Sequence, residues 1–147
     1  MNQSPLQLNN FLPYRLYVLA NRISRSLADH YEQQFQITRP EWRIIAVLGE
    51  QPDLSAAQVA ELTAMDKVAT SRAVTKLLAS KLLIRSFAVD DKRRSQLSLS
   101  AKGQKLYQKI VPIAQAYEEK IVSQLSDHER ELLRTLLEKL DHLELDF

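Results

Sequence analysis

The segment from Ala56 to Ser80, AAQVAELTAMDKVATSRAVTKLLAS, constrains the fold most, because only Ala64, Met65 and Asp66 separate two helical patterns. Ser55 and Gln58 form an S/T-x-x-E/Q capping box ahead of the first pattern. Asp66 is a favourable N-cap for the second, in which Thr70, Val74, Leu77 and Leu78 fall on one face. Two short helices joined by a turn of three or four residues make a helix-turn-helix arrangement. LLIRSFAV and SQLSLS follow and read as two β-strands, the second alternating strictly at Leu97 and Leu99. The five residues from Asp90 to Arg94 connect them. Two helices followed by a hairpin with a basic tip is the plan of a winged helix-turn-helix.

The flanks are helical. Leu12, Leu16, Leu19, Ile23, Leu27 and Tyr31 recur at three- and four-residue steps and predict a helix over about Asn10–Phe35. Pro13 suits its first turn, where no N–H is required. Thr38 with Glu41 opens a helix over RPEWRIIAVLGE, and Ser126 with Glu129 opens a last one from about Asp127. Ala101 to Gln124 predicts one long helix, bent at Pro112. The expected architecture is mainly α and a single domain. A winged helix-turn-helix DNA-binding lobe with a two-stranded β-wing spans about residues 38–100, flanked by helices over about 10–35 and 101–147. Two glycines in 147 residues suit helices better than an all-β fold.

Net charge is only +2, but it is unevenly spread. Asp66–Arg94 holds eight bases and three acids, a surplus of five, and leaves the remainder at −3. A basic segment in an otherwise acidic chain is the footprint of a polyanion partner, although a solvated helix face accounts for the same charges. No apolar run nears the roughly 18 residues that span a bilayer. The opening MNQSPLQLNN lacks the basic region and apolar core of a secretory signal, so a cytoplasmic location is expected. The absence of cysteine excludes disulfides, thiolate catalysis and cysteine-based redox sensing by this chain.

An enzyme is not expected, because neither G-x-S-x-G nor H-E-x-x-H occurs. His30, His128 and His142 lie far apart with no metal-ligand spacing, and no cofactor or metal is expected. Two alternatives stay open. Distant His and Glu can converge in a fold, which would give a zinc-responsive regulator. A winged helix can also serve as a protein-interaction module without DNA binding, but such a module needs no basic wing.

A winged helix-turn-helix uses only the middle of the chain. The first helix carries an apolar stripe, and so does the last, at Leu132, Leu133, Leu136, Leu137, Leu140 and Leu143. Both are too wide to leave in water. They can cover one another within the chain or be covered by a second copy, and the second is favoured because a two-fold homodimer presents two reading heads to a palindrome.

Arg85, then Asp91, Lys92 and Arg93 as D-K-R, then Leu99, Ser100 and Gly103 stand at the spacing of a wing signature. In it an Arg opens the hairpin, D-x-R forms the wing, and L-[ST]-x-x-G leads into the next helix. With SRAVTKLLASKLLIR and TRPEW upstream, nearly the whole chain resembles the MarR family of bacterial transcription regulators. The resemblance implies a dimer of winged helix-turn-helix domains joined by helices from both termini. It also implies repression through palindromic operators, and release from DNA when a small phenolic or lipophilic effector binds near the junction of dimer helices and DNA-binding lobe. One departure is Lys81, where the family usually has a left-handed Gly after the recognition helix. A non-Gly residue there costs roughly 1–2 kcal/mol, so either Lys81 bears that cost or the helix ends differently.

With Thr70, Val74 and Leu77 inward, Val68, Arg72 and Thr75 face outward, flanked by Lys67, Ala69, Ser71 and Lys76. Arg72 can bond guanine O6 and N7 in the major groove, or a phosphate, or an intrachain acid. Lys67 and Lys76 suit phosphates, which position the protein without carrying sequence information. Val68 and Ala69 can touch thymine methyls or simply admit the backbone. Ser55 and Gln58 can meet phosphate, but capping explains them without DNA. In the wing, Arg93 suits a narrow minor groove, with Lys92 and Arg94 at the backbone. Asp91 is structural, accepting from loop amides or pairing with Arg85 or Arg93. Tyr14, Arg15, Tyr17, His30, Tyr31, Trp42 and Arg43 can line a pocket for an aromatic carboxylate between the first two helices, or can serve as core and dimer packing.

Overall fold

The structure is a computed structural model that describes residues 4–87, 89–90 and 94–145. A 3-10 turn at Leu8–Asn10 leads into α1 (Leu12–Phe35), α2 (Arg39–Glu50), α3 (Ala56–Thr63) and α4 (Lys67–Ala79). Strands β1 (Leu83–Phe87) and β2 (Ser95–Leu99) follow, then α5 (Ala101–Val122) and α6 (Asp127–Asp141). The two strands pair antiparallel, with Leu83 opposite Leu99 and Phe87 opposite Ser95. This is the mainly helical winged helix-turn-helix that the capping residues and periodicity predict. The first helix starts slightly later than expected, because Leu8–Asn10 takes the tighter turn.

Local chemistry explains most boundaries. Ser55–Gln58 and Ser126–Glu129 form complete capping boxes, with reciprocal bonds of 2.9 and 3.1 Å in the first and 2.8 and 3.2 Å in the second. The third box is diverted. The Glu41 amide donates to Thr38 Oγ1 at 3.5 Å, but its carboxylate accepts from the Thr38 hydroxyl at 3.0 Å and from Lys76 Nζ at 2.9 Å. Glu41 is buried on the inner face of α2, so an α4 ammonium competes for it.

The core draws on every element from α1 to α5. Tyr31 of α1, Ile44, Ile45 and Leu48 of α2, and Val59 of α3 meet Val74 and Leu77 of α4. Leu83, Leu97 and Ile110 extend it through both strands into α5. The chain divides into two compact units, Met1–Ile110 and Val111–Phe147, at a boundary beside Pro112. In the second unit Arg130 Nε donates to the carbonyls of Val122 at 2.9 Å and Leu125 at 3.3 Å, tying α6 to the turn that follows α5, where Val122 also accepts the Leu125 amide at 3.0 Å.

Both glycines serve close approach. A Cβ on Gly49 would stand 2.5 Å from the Tyr107 ring, and one on Gly103 would stand 2.1 Å from the Leu82 carbonyl oxygen. The left-handed positions instead fall to Gln36, Asp53, Ala64 and Lys81. Lys81 has φ 59°, so it does bear the strain. The Leu82 amide bonds to the Leu77 carbonyl and the Lys81 amide to the Leu78 carbonyl, each at 3.0 Å, which is a Schellman ending to α4. Lys81→Gly is therefore expected to stabilise the fold by about 1 kcal/mol, read as a raised urea midpoint with an unchanged slope.

Candidate nucleic-acid interface

α4 is the helix on which a DNA-reading surface can be built, and its orientation is fixed at both ends. Asp66 Oδ1 accepts from the Ala69 amide at 2.7 Å, and the Thr70 hydroxyl donates to the Asp66 carbonyl at 2.8 Å. Thr70, Ala73, Val74 and Leu77 are buried, which turns Val68, Arg72 and Thr75 outward. Val68 keeps 61 % of its surface exposed, an apolar side chain that its own chain leaves uncovered. Arg72 is exposed and has no hydrogen-bond or ion-pair partner among the described residues.

The flanking residues divide by side. Lys67, Ser71 and Thr75 share a cleft of about 330 Å³ with Arg85 of β1. Arg85, expected as a wing brace, thus lies beside the outward face of α4. Lys76 stands on the other flank, where its ammonium holds the buried Glu41 carboxylate. That pair joins residues 35 positions apart and has no local sequence signal. Ala69 is only half-exposed, whereas Ser71 is exposed.

At the wing, Asp91, Lys92 and Arg93 lie outside the described residues. Arg94 Nη2 pairs with Asp90 Oδ2 at 3.0 Å, both side chains being exposed. Asp90 and Arg94 stand at the two ends of the five-residue connection and are held together by charge. The base of the hairpin is tied down twice. Leu54 and Leu97 exchange backbone bonds of 3.2 and 2.7 Å. The Ser98 hydroxyl donates to Asp53 Oδ1 at 2.8 Å and accepts from the Asp53 amide at 3.0 Å. Ser55 and Gln58 are occupied in their cap, at one edge of the cleft that also contains Arg94.

The aromatic candidates fall into two groups. Tyr31 and Trp42 pack with ring centroids 5.7 Å apart, and Arg43 Nη2 donates to Ser24 Oγ at 3.3 Å nearby. Tyr14, Arg15 and Tyr17 lie on the exposed first half of α1, and Tyr17 is about 21 Å along the helix from Tyr31 at 1.5 Å per residue. His30 is exposed on α1, its Nδ1 3.1 Å from the Ser26 carbonyl. Among the described residues no group of three His, Asp or Glu side chains is placed to hold a metal ion. No described helix is long and apolar enough to cross a membrane.

Burial pushes the Tyr31 phenol up from 10.0 to about 12, helped by the Glu32 charge and opposed by Arg43 and Arg39. The folded state thus favours the neutral phenol. Its contribution to stability is present below pH 10 and is lost as pH rises towards 12. Absorbance titration of tyrosinate should show a late phase near pH 12 that Tyr31→Phe removes.

A profile of the MarR family matches residues 35–94. The transcriptional regulator BilQ of Clostridium symbiosum is 31 % identical over 96 residues, which cover 65 % of this chain and 67 % of that protein. The crystal structure of a MarR/EmrR family transcriptional regulator from Acinetobacter sp. ADP1 superposes with a TM-score of 0.84 at 30 % identity, covering 92 % of this chain and 96 % of that one. S. aureus MepR, solved in complex with DNA, superposes with a TM-score of 0.78 at 26 % identity over 88 % of this chain and 96 % of MepR. With its winged helix-turn-helix and outward-facing α4, this chain belongs to the MarR family of transcriptional regulators, which act by binding DNA and are not enzymes.

Proposed function

We propose that this regulator is a cytoplasmic repressor that binds a palindromic operator as a homodimer and is released by a small phenolic or lipophilic effector. The observation that carries the reading is the outward face of α4, where Arg72, exposed beside Lys67, Val68 and Thr75, has no hydrogen-bond or ion-pair partner among the described residues. Arg72 is assigned to a guanine edge, Val68 to a thymine methyl and Lys67 to phosphate. Ser71 and Thr75 lie within reach of the same groove, and Arg94 joins Lys92 at the flanking backbone. Arg93 is assigned to the minor groove and Asp91 to bracing the wing.

Dimerisation is supported by exposed apolar faces on α1 and on α6. On α6 and just beyond it, Leu132, Leu133, Leu136, Leu137, Leu140 and Leu143 stay 37–54 % exposed. On α1, Leu12, Leu16 and Leu19 stay 43–53 % exposed. A monomer with both stripes in water carries an apolar surface that a second copy removes. Two copies place two α4 helices on half-sites about one DNA turn, ~34 Å, apart. The effector is assigned to the surroundings of Tyr31, Trp42 and Arg43, where aromatic rings lie beside a cation. Tyr14, Arg15 and Tyr17 take part if they are supplied by the partner copy's α1.

Sedimentation at micromolar concentration should give twice the mass of the chain, and a monomer there would exclude the two-headed reading. In gel shifts against an operator selected from random DNA, Arg72→Ala should relax preference at one base pair by about 1–3 kcal/mol. Arg93→Ala should weaken binding mainly at A·T-rich flanks. If both variants bind like the native chain, the reading surface lies elsewhere. If the native chain binds no DNA even at low salt, the protein-interaction module is the better account.

A further inference from the structure

On the flank of α4 opposite Arg85, α5 and the end of α1 enclose a cleft of about 460 Å³, within the range of small-molecule sites. Lys102, Lys105 and Lys109 line it from α5, Lys76 lines it from α4, and Glu41 is its one acid. We propose that this cleft binds a small organic polyanion carrying phosphate groups, at a site separate from the Tyr31–Trp42 cluster.

The three α5 lysines stand at i, i+3 and i+7, on one helical face, where like charges oppose one another. Two of the four ammonium groups are already positioned by the fold. Lys76 Nζ is held at 2.9 Å by Glu41, and Lys102 Nζ donates at 3.1 Å to the Ser80 carbonyl at the end of α4. Lys105 and Lys109 have no ion pair among the described residues. Glu41 is buried and committed to Lys76 and Thr38, so it neutralises only one of the four charges.

An uncompensated charge of three suits a multiply charged anion better than a single carboxylate, and lysine serves phosphate as a point charge. The walls set the rest of the ligand's character. Phe35, Ile37, Leu82 and Leu106 add an apolar surface beside the ammonium groups. A duplex backbone needs no such surface, whereas a compact molecule with an apolar body and a phosphorylated end uses both.

Calorimetric titration of the full chain tests this with pyrophosphate, inorganic phosphate and adenosine diphosphate as probes. Pyrophosphate should bind saturably at one site per chain and more tightly than inorganic phosphate, and adenosine diphosphate should compete with it. The double variant Lys105→Gln/Lys109→Gln should weaken pyrophosphate by about 10-fold. Lys139→Gln on α6 and Tyr31→Phe should leave it unchanged. Absence of saturable binding overturns the proposal, and so does an equal loss in Lys139→Gln, which would indicate non-specific attraction. If the double variant keeps its affinity for pyrophosphate but binds DNA more weakly with a shallower salt dependence, the lysines serve DNA and the proposal fails.

Discussion

The carbonyl of Leu82 is the point on which the DNA-binding lobe turns. It accepts the Ser100 amide at 3.0 Å and lies where any side chain at position 103 would collide with it. Gly103 is therefore required by contact and not by backbone angle. Ser100 closes the same junction from its side chain, donating to the Lys81 carbonyl at 2.6 Å and accepting the Gly103 amide at 3.0 Å. Three elements meet there: the end of α4, the start of β1 and the first turn of α5. The L-S-x-x-G run that marks the family thus has a mechanical meaning, since the serine caps α5 and the glycine admits a neighbouring backbone.

That junction is what makes an exposed reading helix possible. α4 is capped by Asp66 at one end and closed by a Schellman turn at the other. Its inner face is anchored by Thr70, Val74 and Leu77, and its flank by the Glu41–Lys76 pair. With orientation secured by those contacts, Val68, Arg72 and Thr75 stay exposed on the outward face. Removing Glu41 would leave Lys76 without its acceptor, whereas removing Lys76 would strand a buried carboxylate, which is the costlier loss.

The basic segment between Asp66 and Arg94 does not act as one patch. The fold sends Lys67 and Arg85 to one side of α4 and Lys76 to the other, where lysines of α5 join it. Arg94 is drawn into a pair with Asp90 at the wing. A surplus of charge along the chain is thereby divided between the two flanks of α4 and the wing.

Helix limits, the turn at Ala64–Asp66, the two strands and the outward direction of Arg72 were legible from the chain alone. They depend on caps, periodicity and side-chain alternation, which act over a few residues. Lys81 stood out only through the family resemblance, which has Gly there, and that it accepts the left-handed strain follows from the buried Leu82 and the contacts it makes. Tyr14 and Tyr17 looked like pocket partners of Tyr31 by composition, and helix rise separates them within one chain. The pairs Glu41–Lys76 and Asp53–Ser98, the placing of Arg85 beside α4 and the lysine cleft all join segments distant in sequence. Only tertiary packing decides such meetings, because each charge has many acceptable partners nearby in sequence and the core, by fixing which helix faces touch, selects one.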